Sequence, residues 1–245
     1  MKTVAIIQAR VGSTRLPGKV LLDVGGRSVL ARVIERVRRF TMIDEMIVAT
    51  SDQDTDNAII EECDRIGAAS FRGSESDVLA RFLGAAKATD ASICVRLTAD
   101  CPLLDPSVSD SIISLFVEAN GAADYASNKI PQSFPRGLDT EVFSLDALER
   151  AARRARQTYE RVHVTAYMYR HPEIFSLMSV TSDIDRADWR WTVDTPEDLE
   201  FVREVYRRMD ERGEFSWHDV VRLLEEEPSL LWINSHVRQK DVDEG

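Results

Sequence analysis

No stretch of the sequence approaches the ~18 consecutive apolar residues that a membrane-spanning helix needs. The opening segment, MKTVAIIQAR, has too short an apolar core for a signal peptide. Cysteine is scarce. Cys63, Cys94 and Cys101 lack metal-ligand spacing, and an odd number fits a reducing compartment better than a disulfide framework. Positive charge is in deficit, with 31 Lys and Arg against 42 Asp and Glu and a net charge of −11. That excludes a general nucleic-acid surface but leaves room for a local basic site. Internal repeats, low-complexity tracts and linkers are also missing. The expectation is a soluble cytoplasmic protein with no membrane or nucleic-acid polymer as partner.

What is present is enough chain for a large core. The 245 residues are 44% hydrophobic and 30% charged, which suits one sizeable α/β domain or two small ones. TVAIIQA, EMIVATS, AASFRG and SICVRLTAD read as short buried strands. Between them SVLARVIERVRRF, NAIIEECDRIG (closed by Gly67) and SDVLARFLGAAKAT (capped by Ser74 or Ser76) read as helices. DPSVSDSIISLFVEAN follows as a helix with proline in its first turn. This rhythm predicts a parallel sheet with helices on both faces, and such sheets bind ligands beyond the carboxyl ends of their strands.

After about residue 122 the rhythm changes. ADYASN, LDTEVFS, IFSLMSVTS and WRWTVDT read as strands. SLDALERAARRA, YERVHVTAYMYRH, PEDLEFVREVYRRMDERG and SWHDVVRLLEEEP read as helices. KIPQSFPRG is an irregular loop suited to covering a site. We expect a single domain over 1–245 with an embedded subregion around 122–190. Trp189 and Trp191 should share one strand face in the core. The run ERAARRAR should be a solvated helix face.

The segment IIQARVGSTRLPGKV concentrates charge and backbone freedom straight after the first strand. It is not a P-loop: the glycine spacing is wrong, and Val20 stands where Ser or Thr is required. No GxGxxG is present either. Its glycines still allow close backbone approach, and its N–H groups can form an anion-binding concavity. Arg10, Arg15 and Lys19 can neutralise a polyphosphate. A solvated basic loop is the alternative. Downstream, Asp100 in RLTADCP follows a buried strand and can hold Mg²⁺ on phosphates, or serve only as a turn residue. Asp194 in WTVDTPEDL is a second carboxylate, although the same stretch is good helix-start chemistry with Thr195 as cap.

IIQARVGSTRLPGKVL, VRLTADCPLLDP and WTVDTPEDLEFV, in this order, resemble the cytidylyltransferase family that makes CMP-activated acidic sugars. RGSESDVLARF, FPRGLDTEVFS, YERVHVTAY and NSHVRQK bring the resemblance closest to the spore-coat polysaccharide biosynthesis protein F-type branch. It covers nearly the whole chain. The resemblance implies a nucleotide-diphospho-sugar transferase (GT-A-like) fold, a three-layer α/β/α sandwich with a mixed, mostly parallel sheet. It implies CTP as co-substrate, Mg²⁺ as cofactor, a small sugar or polyol acceptor, and a homodimer to which LLWINSHVRQK could contribute apolar surface. By the same resemblance Arg15, Lys19, Asp100 and Asp194 are catalytic, with Asp100 and Asp194 the metal ligands. Arg10, Ser13, Arg15 and Lys19 would hold the triphosphate, and Gln8, Gly12 and Thr14 would be further nucleotide-binding residues. Ser51, Asp52, Arg72, Ser74 and Asp77 would line the nucleoside pocket. Arg136, Asp139, Glu141, Arg161 and His163 would face the acceptor, with His163 equally readable as a packed helix residue.

A nucleotide-sugar-consuming glycosyltransferase is the rival reading. It usually carries a DxD metal motif, whereas TAD supplies one aspartate. A non-enzymatic nucleotide-binding regulator is a second rival, and the pair of aspartates speaks against it. The chain departs from the branch at Arg136, where an acidic residue is usual, and at Val162 and Ala166. A cation at 136 suits a carboxylate or phosphate on the acceptor. Arg136→Asp is therefore expected to weaken binding of acidic sugars more than neutral ones; equal losses in a binding assay would count against that role.

Overall fold

Residues Thr3 to Ile7 are all buried, as a strand covered on both faces must be. The computed structural model describes residues 1–209 and 214–239. This first strand, β1 (Thr3–Gln8), is followed by a two-stranded antiparallel ribbon, β2 (Asp23–Val24) and β3 (Arg27–Ser28). The main sheet adds β4 (Glu45–Ser51), β5 (Ser70–Gly73), β6 (Ile93–Thr98), β7 (Tyr125–Ser127), β8 (Glu141–Ser144) and β9 (Leu177–Ser179). Among the described residues its order is β5-β4-β1-β6-β8-β7-β9, and β8 alone runs against the rest. This is the expected mixed, mostly parallel sheet.

Alternation along the strands sends side chains to two cores. Ala5, Ile7, Val48, Val95 and Leu97 face one layer of helices. That layer comprises α1 (Val29–Val37), α2 (Asn57–Ile66), α4 (Pro106–Glu118), α8 (Pro196–Met209) and α9 (Trp217–Glu226). Val4, Ile6, Ala49 and Cys94 face the other, made by α3 (Val78–Ala88), α5 (Leu145–Arg154), α6 (Thr158–Val162) and α7 (Ala166–Arg170). Local chemistry sets the helix starts. Ser28 caps α1, and Asp105 caps α4 with Pro106 in its first turn. Gly67, at φ 65°, closes α2.

Four expectations need correction. The cap of α3 is Asp77, which accepts from Ala80 N at 2.9 Å, while Ser74 Oγ accepts from Asp77 N one turn earlier. The stretch YERVHVTAYMYRH is two short helices. Val164 between them has φ 58°, a left-handed conformation no helix can propagate. Arg150, expected on a solvated helix face, instead pairs with Asp124 and lies over the Phe175 ring. WRWTVDT does not join the sheet. Its backbone bonds go to loops: Arg136 N donates to Trp189 O at 2.9 Å, Trp191 N to Arg136 O at 2.7 Å, and Val193 N to Asp100 O at 2.8 Å. Trp191 is still fully buried, with its ring 6.3 Å from that of Trp189. Gly137 makes the close approach possible. It sits at φ 110°, and a Cβ there would lie 2.7 Å from the Trp191 carbonyl carbon. Residues 210–213 of the expected long helix, and Lys240 in the tail motif, lie outside the described residues.

Where β6 meets β8, register places Arg96 directly opposite Glu141, both buried. The Glu141 carboxylate pairs with Arg96 and accepts from Tyr125 Oη at 2.8 Å and Thr165 Oγ1 at 2.6 Å. Lys129 Nζ lies 3.4 Å away. Burial pushes the Glu141 carboxyl up, but Lys129, Arg96 and the two hydroxyl donors outweigh it and hold it at about 2. Its charge therefore stabilises the fold fully above about pH 4.5 and loses that effect as pH falls toward 2. We expect Glu141→Gln to be less stable at neutral pH by roughly 3 kcal/mol, with the gap from wild type closing between pH 4.5 and 2. Urea titrations at stepped pH read this directly; parallel curves for the two proteins would refute it.

Candidate active site

At the carboxyl edge of the sheet, β1 gives way to a loop that must turn back on itself. Gly18, at φ 69°, makes the turn, and its N–H donates to Val11 O at 3.1 Å. Ser13 Oγ accepts from Leu16 N at 3.3 Å inside the same loop. Buried Asp56 anchors it from below, accepting from Val11 N at 2.7 Å and from Ser51 Oγ at 2.5 Å. Lys19 opens a 3-10 turn (Lys19–Leu21) directly after Gly18.

This turn delivers the Lys19 ammonium between two carboxylates. Its Nζ lies 2.6 Å from Asp100 Oδ2 and 2.7 Å from Asp194 Oδ1. Arg15 reaches the other oxygen of Asp194 at 3.0 Å. Asp100 follows β6, and Asp194 ends the segment that crosses below it. Val193 N and Thr192 Oγ1 both donate to Asp100 O, which fixes the two aspartates relative to each other. Burial pushes the Asp100 carboxyl up, but the Lys19 ammonium prevails and holds it at about 2. Burial likewise lowers Lys19, and Asp100 and Asp194 more than compensate, so the ammonium is charged throughout the physiological range.

Two hard oxygen donors thus face one point where a cation already sits. Among the described residues no group of three or more His, Cys, Asp or Glu side chains could hold a metal. Two carboxylates suffice for Mg²⁺, which keeps waters and takes its remaining ligands from phosphates. The donor set fits such an ion.

The other residues singled out in the sequence divide into groups. Arg10, Gly12 and Thr14 are exposed on the loop, and Gln8 ends β1 and accepts from Arg96 Nη2 at 3.2 Å. Asp52 is exposed beyond β4. Ser51, by contrast, is 1% exposed and committed to Asp56, so it supports the loop rather than lining the cleft. Arg72 bonds Ser51 O at 3.0 Å, Gln53 O at 2.8 Å and Asn57 Oδ1 at 2.7 Å, stapling β5 to the turn after β4. Asp77 pairs with Arg161, which joins the expected nucleoside and acceptor regions through α3 and α6. His163 closes α6. Arg136 and Asp139 lie in the loop before β8, where Asp139 Oδ1 accepts from Gln132 Nε2 at 3.1 Å. Glu141 is 2% exposed and saturated by its own partners, so it does not face an acceptor.

Sequence reasoning missed the support beneath Asp194. Arg190 forks onto Asp198, with Nε to Oδ1 at 2.8 Å and Nη2 to Oδ2 at 3.1 Å, and Nη2 also reaches Asp194 Oδ2 at 2.5 Å. A lone arginine between two tryptophans was the available signal, because a buried guanidinium needs a carboxylate. Asp56 carried a weaker signal, as one acid among several in SDQDTD.

The description "Cytidylyltransferase" belongs to the family profile that matches residues 4–226. The spore coat polysaccharide biosynthesis protein SpsF of Bacillus subtilis is 34% identical over 230 residues, 91% of this chain and 94% of that one. A solved cytidylyltransferase from Leptospira borgpetersenii is 34% identical, covers 94% of this chain and 97% of that one, and superposes with a TM-score of 0.90. A solved CMP:2-keto-3-deoxy-manno-octonic acid synthetase in complex with CTP shares the fold at TM-score 0.67 and 20% identity, over 85% of this chain and 99% of that one. With the profile spanning most of its length and relatives at 34% identity over nearly all of it, the chain belongs to the cytidylyltransferase family.

Proposed function

We propose that this cytidylyltransferase transfers CMP from CTP to a sugar or sugar-like acceptor, releasing pyrophosphate, in the synthesis of a cell-surface polysaccharide or glycan. The observation that carries the proposal is the Lys19 ammonium shared by Asp100 and Asp194, with Arg15 beside it. Charges of both signs converge there, as a triphosphate and a divalent cation require. The solved synthetase with CTP and the polysaccharide role in the name of the Bacillus relative support the choice of nucleotide and pathway class.

Asp100 and Asp194 would hold Mg²⁺. When bound, that ion supplies Lewis-acid stabilisation of charge on the phosphates. Arg15 and Lys19 are occupied by carboxylates until the nucleotide arrives, and then exchange them for phosphate oxygens. An acceptor oxygen forms a bond to the α-phosphorus. The bond from that phosphorus to the bridging oxygen breaks, and the electron pair leaves on pyrophosphate, where Lys19 and Arg15 neutralise it. The hydroxyl proton passes to solvent. Arg136, in the loop beside the Arg190 segment, is the side chain we assign to an anionic group on the acceptor. No helix among the described residues is long and apolar enough to cross a membrane. We assign a homodimer, with Trp232, 74% exposed, in the apolar segment that would contribute to it.

Asp100→Ala should remain folded by circular dichroism and lose on the order of 10²-fold or more in pyrophosphate release from CTP. Full turnover in that variant with CTP and Mg²⁺ would end the assignment. Partner exchange makes a second prediction. Removing the resident ammonium in Lys19→Met should let Mn²⁺ bind the nucleotide-free protein about tenfold more tightly than wild type, while turnover collapses. Electron paramagnetic resonance titration reads the free Mn²⁺; unchanged affinity would mean that Lys19 does not guard the carboxylates.

A further inference from the structure

The tail motif NSHVRQK is not accounted for by the nucleotide site or the acceptor loop, yet two of its side chains end beneath Asp194. Asn234 is 3% exposed, and its Nδ2 donates to Arg190 O at 2.9 Å and to Asp198 Oδ1 at 3.0 Å. Gln239 Oε1 accepts from Arg190 Nη1 at 2.5 Å. Asp198 is fully buried, and its Oδ2 also accepts from Asp194 N and Thr195 N, both at 3.0 Å. A guanidinium serving only to neutralise Asp198 would be satisfied by that fork. Here Nη2 is shared onward to Asp194 Oδ2.

We propose that Arg190 is a positioning residue for Asp194, held in place by Asn234 and Gln239 of the C-terminal segment. The inference rests on the reading of Asp100 and Asp194 as ligands of a divalent cation. The two oxygens of Asp194 have different partners. Oδ2 takes Arg190 from the protein side and Arg15 from the loop, whereas Oδ1 takes Lys19, which it shares with Asp100. When Lys19 and Arg15 move to phosphate, Arg190 stays, because its fork onto Asp198 is buried within the protein. It keeps Oδ1 turned toward Asp100. Without it the Asp194 carboxylate is free to rotate, and the site must be ordered each time the ion binds. Partners of this outer kind affect metal affinity by roughly 10- to 100-fold. Lysine cannot replace the arginine, since an ammonium does not span Asp198 and Asp194 with fork geometry.

The test is Mn²⁺ titration of the full chain, by electron paramagnetic resonance, with α,β-methylene-CTP present so that no turnover occurs. Arg190→Lys is expected to weaken Mn²⁺ by roughly 10- to 100-fold, and Gln239→Ala by a smaller factor, about threefold or more. With CTP and acceptor, both should lower kcat while leaving KM for CTP within about threefold, since both act through Asp194. Gln239 is exposed, so its variant keeps the wild-type melting temperature and carries the test if Arg190→Lys does not fold. Asp194→Asn separates the two readings. If it loses Mn²⁺ while Arg190→Lys and Gln239→Ala keep wild-type affinity, the bracing role is overturned and the metal site stands. If Asp194→Asn itself binds Mn²⁺ like wild type, the metal reading falls, and the bracing role with it.

Discussion

One ammonium group between two carboxylates organises the working end of this molecule. Asp100 and Asp194 come from segments 94 residues apart in the chain. They repel each other unless a cation lies between them, and Lys19 supplies it at hydrogen-bonding distance from both. At an effective dielectric near 20, unit charges about 4 Å apart interact by about 4 kcal/mol, so the arrangement is held strongly in either of two ways. A lysine can satisfy the carboxylates, or a bound metal can. The ligand-free protein is thus already charge-balanced, and under the proposed function nucleotide binding would be a swap of partners in place of the creation of new charge pairs.

The groups around that point hold it in place. Asp56 fixes the loop from which Lys19 projects, and the fork of Arg190 on Asp198 fixes the helix start beside Asp194. Arg96 and Glu141 form a buried pair across the register of β6 and β8. None of these groups is apolar, yet nearly all are buried. Buried ions are costly to desolvate, and they persist here because each carboxylate has several donors. The cost purchases rigidity around the site to which we assign the chemistry.

Much of this was legible in the chain itself. Strands β1, β4, β5 and β6 and the helices between them follow from short apolar runs and 3.6-residue periodicity, and the cap at Thr195 and the closure of α2 at Gly67 follow from side-chain and backbone chemistry. The basic loop and Asp100 stood out because their residue types follow a buried strand, and Asp194 because it closes the alternating WRWTVDT segment. Three kinds of information were hidden. The WRWTV segment alternates like a strand, but its register partners are loop carbonyls, which no local pattern encodes. Val164 adopts a conformation that its β-branched side chain disfavours, so the break in YERVHVTAYMYRH runs against propensity. Glu141 and Ser51 belong to motifs that point to the cleft, whereas their side chains turn inward to hold neighbours. A motif marks a neighbourhood; which of its members face the ligand is decided by tertiary packing.

The reversed direction of β8 has one more effect. Because β7 ends and β8 begins at the same edge of the sheet, residues 128–140 leave and return on the side where the aspartates lie. The excursion is anchored at its base by Asn128, whose amide bonds Leu138 O and whose carbonyl accepts from Thr140 N. The excursion is also tied to the segment that carries Asp194, because the Arg136 backbone pairs with Trp189 and Trp191 and Gly137 lies against the Trp191 carbonyl. Under the proposed function, a change of acceptor chemistry would be written at side chains such as Arg136, while these backbone rungs and Gly137 stay as they are.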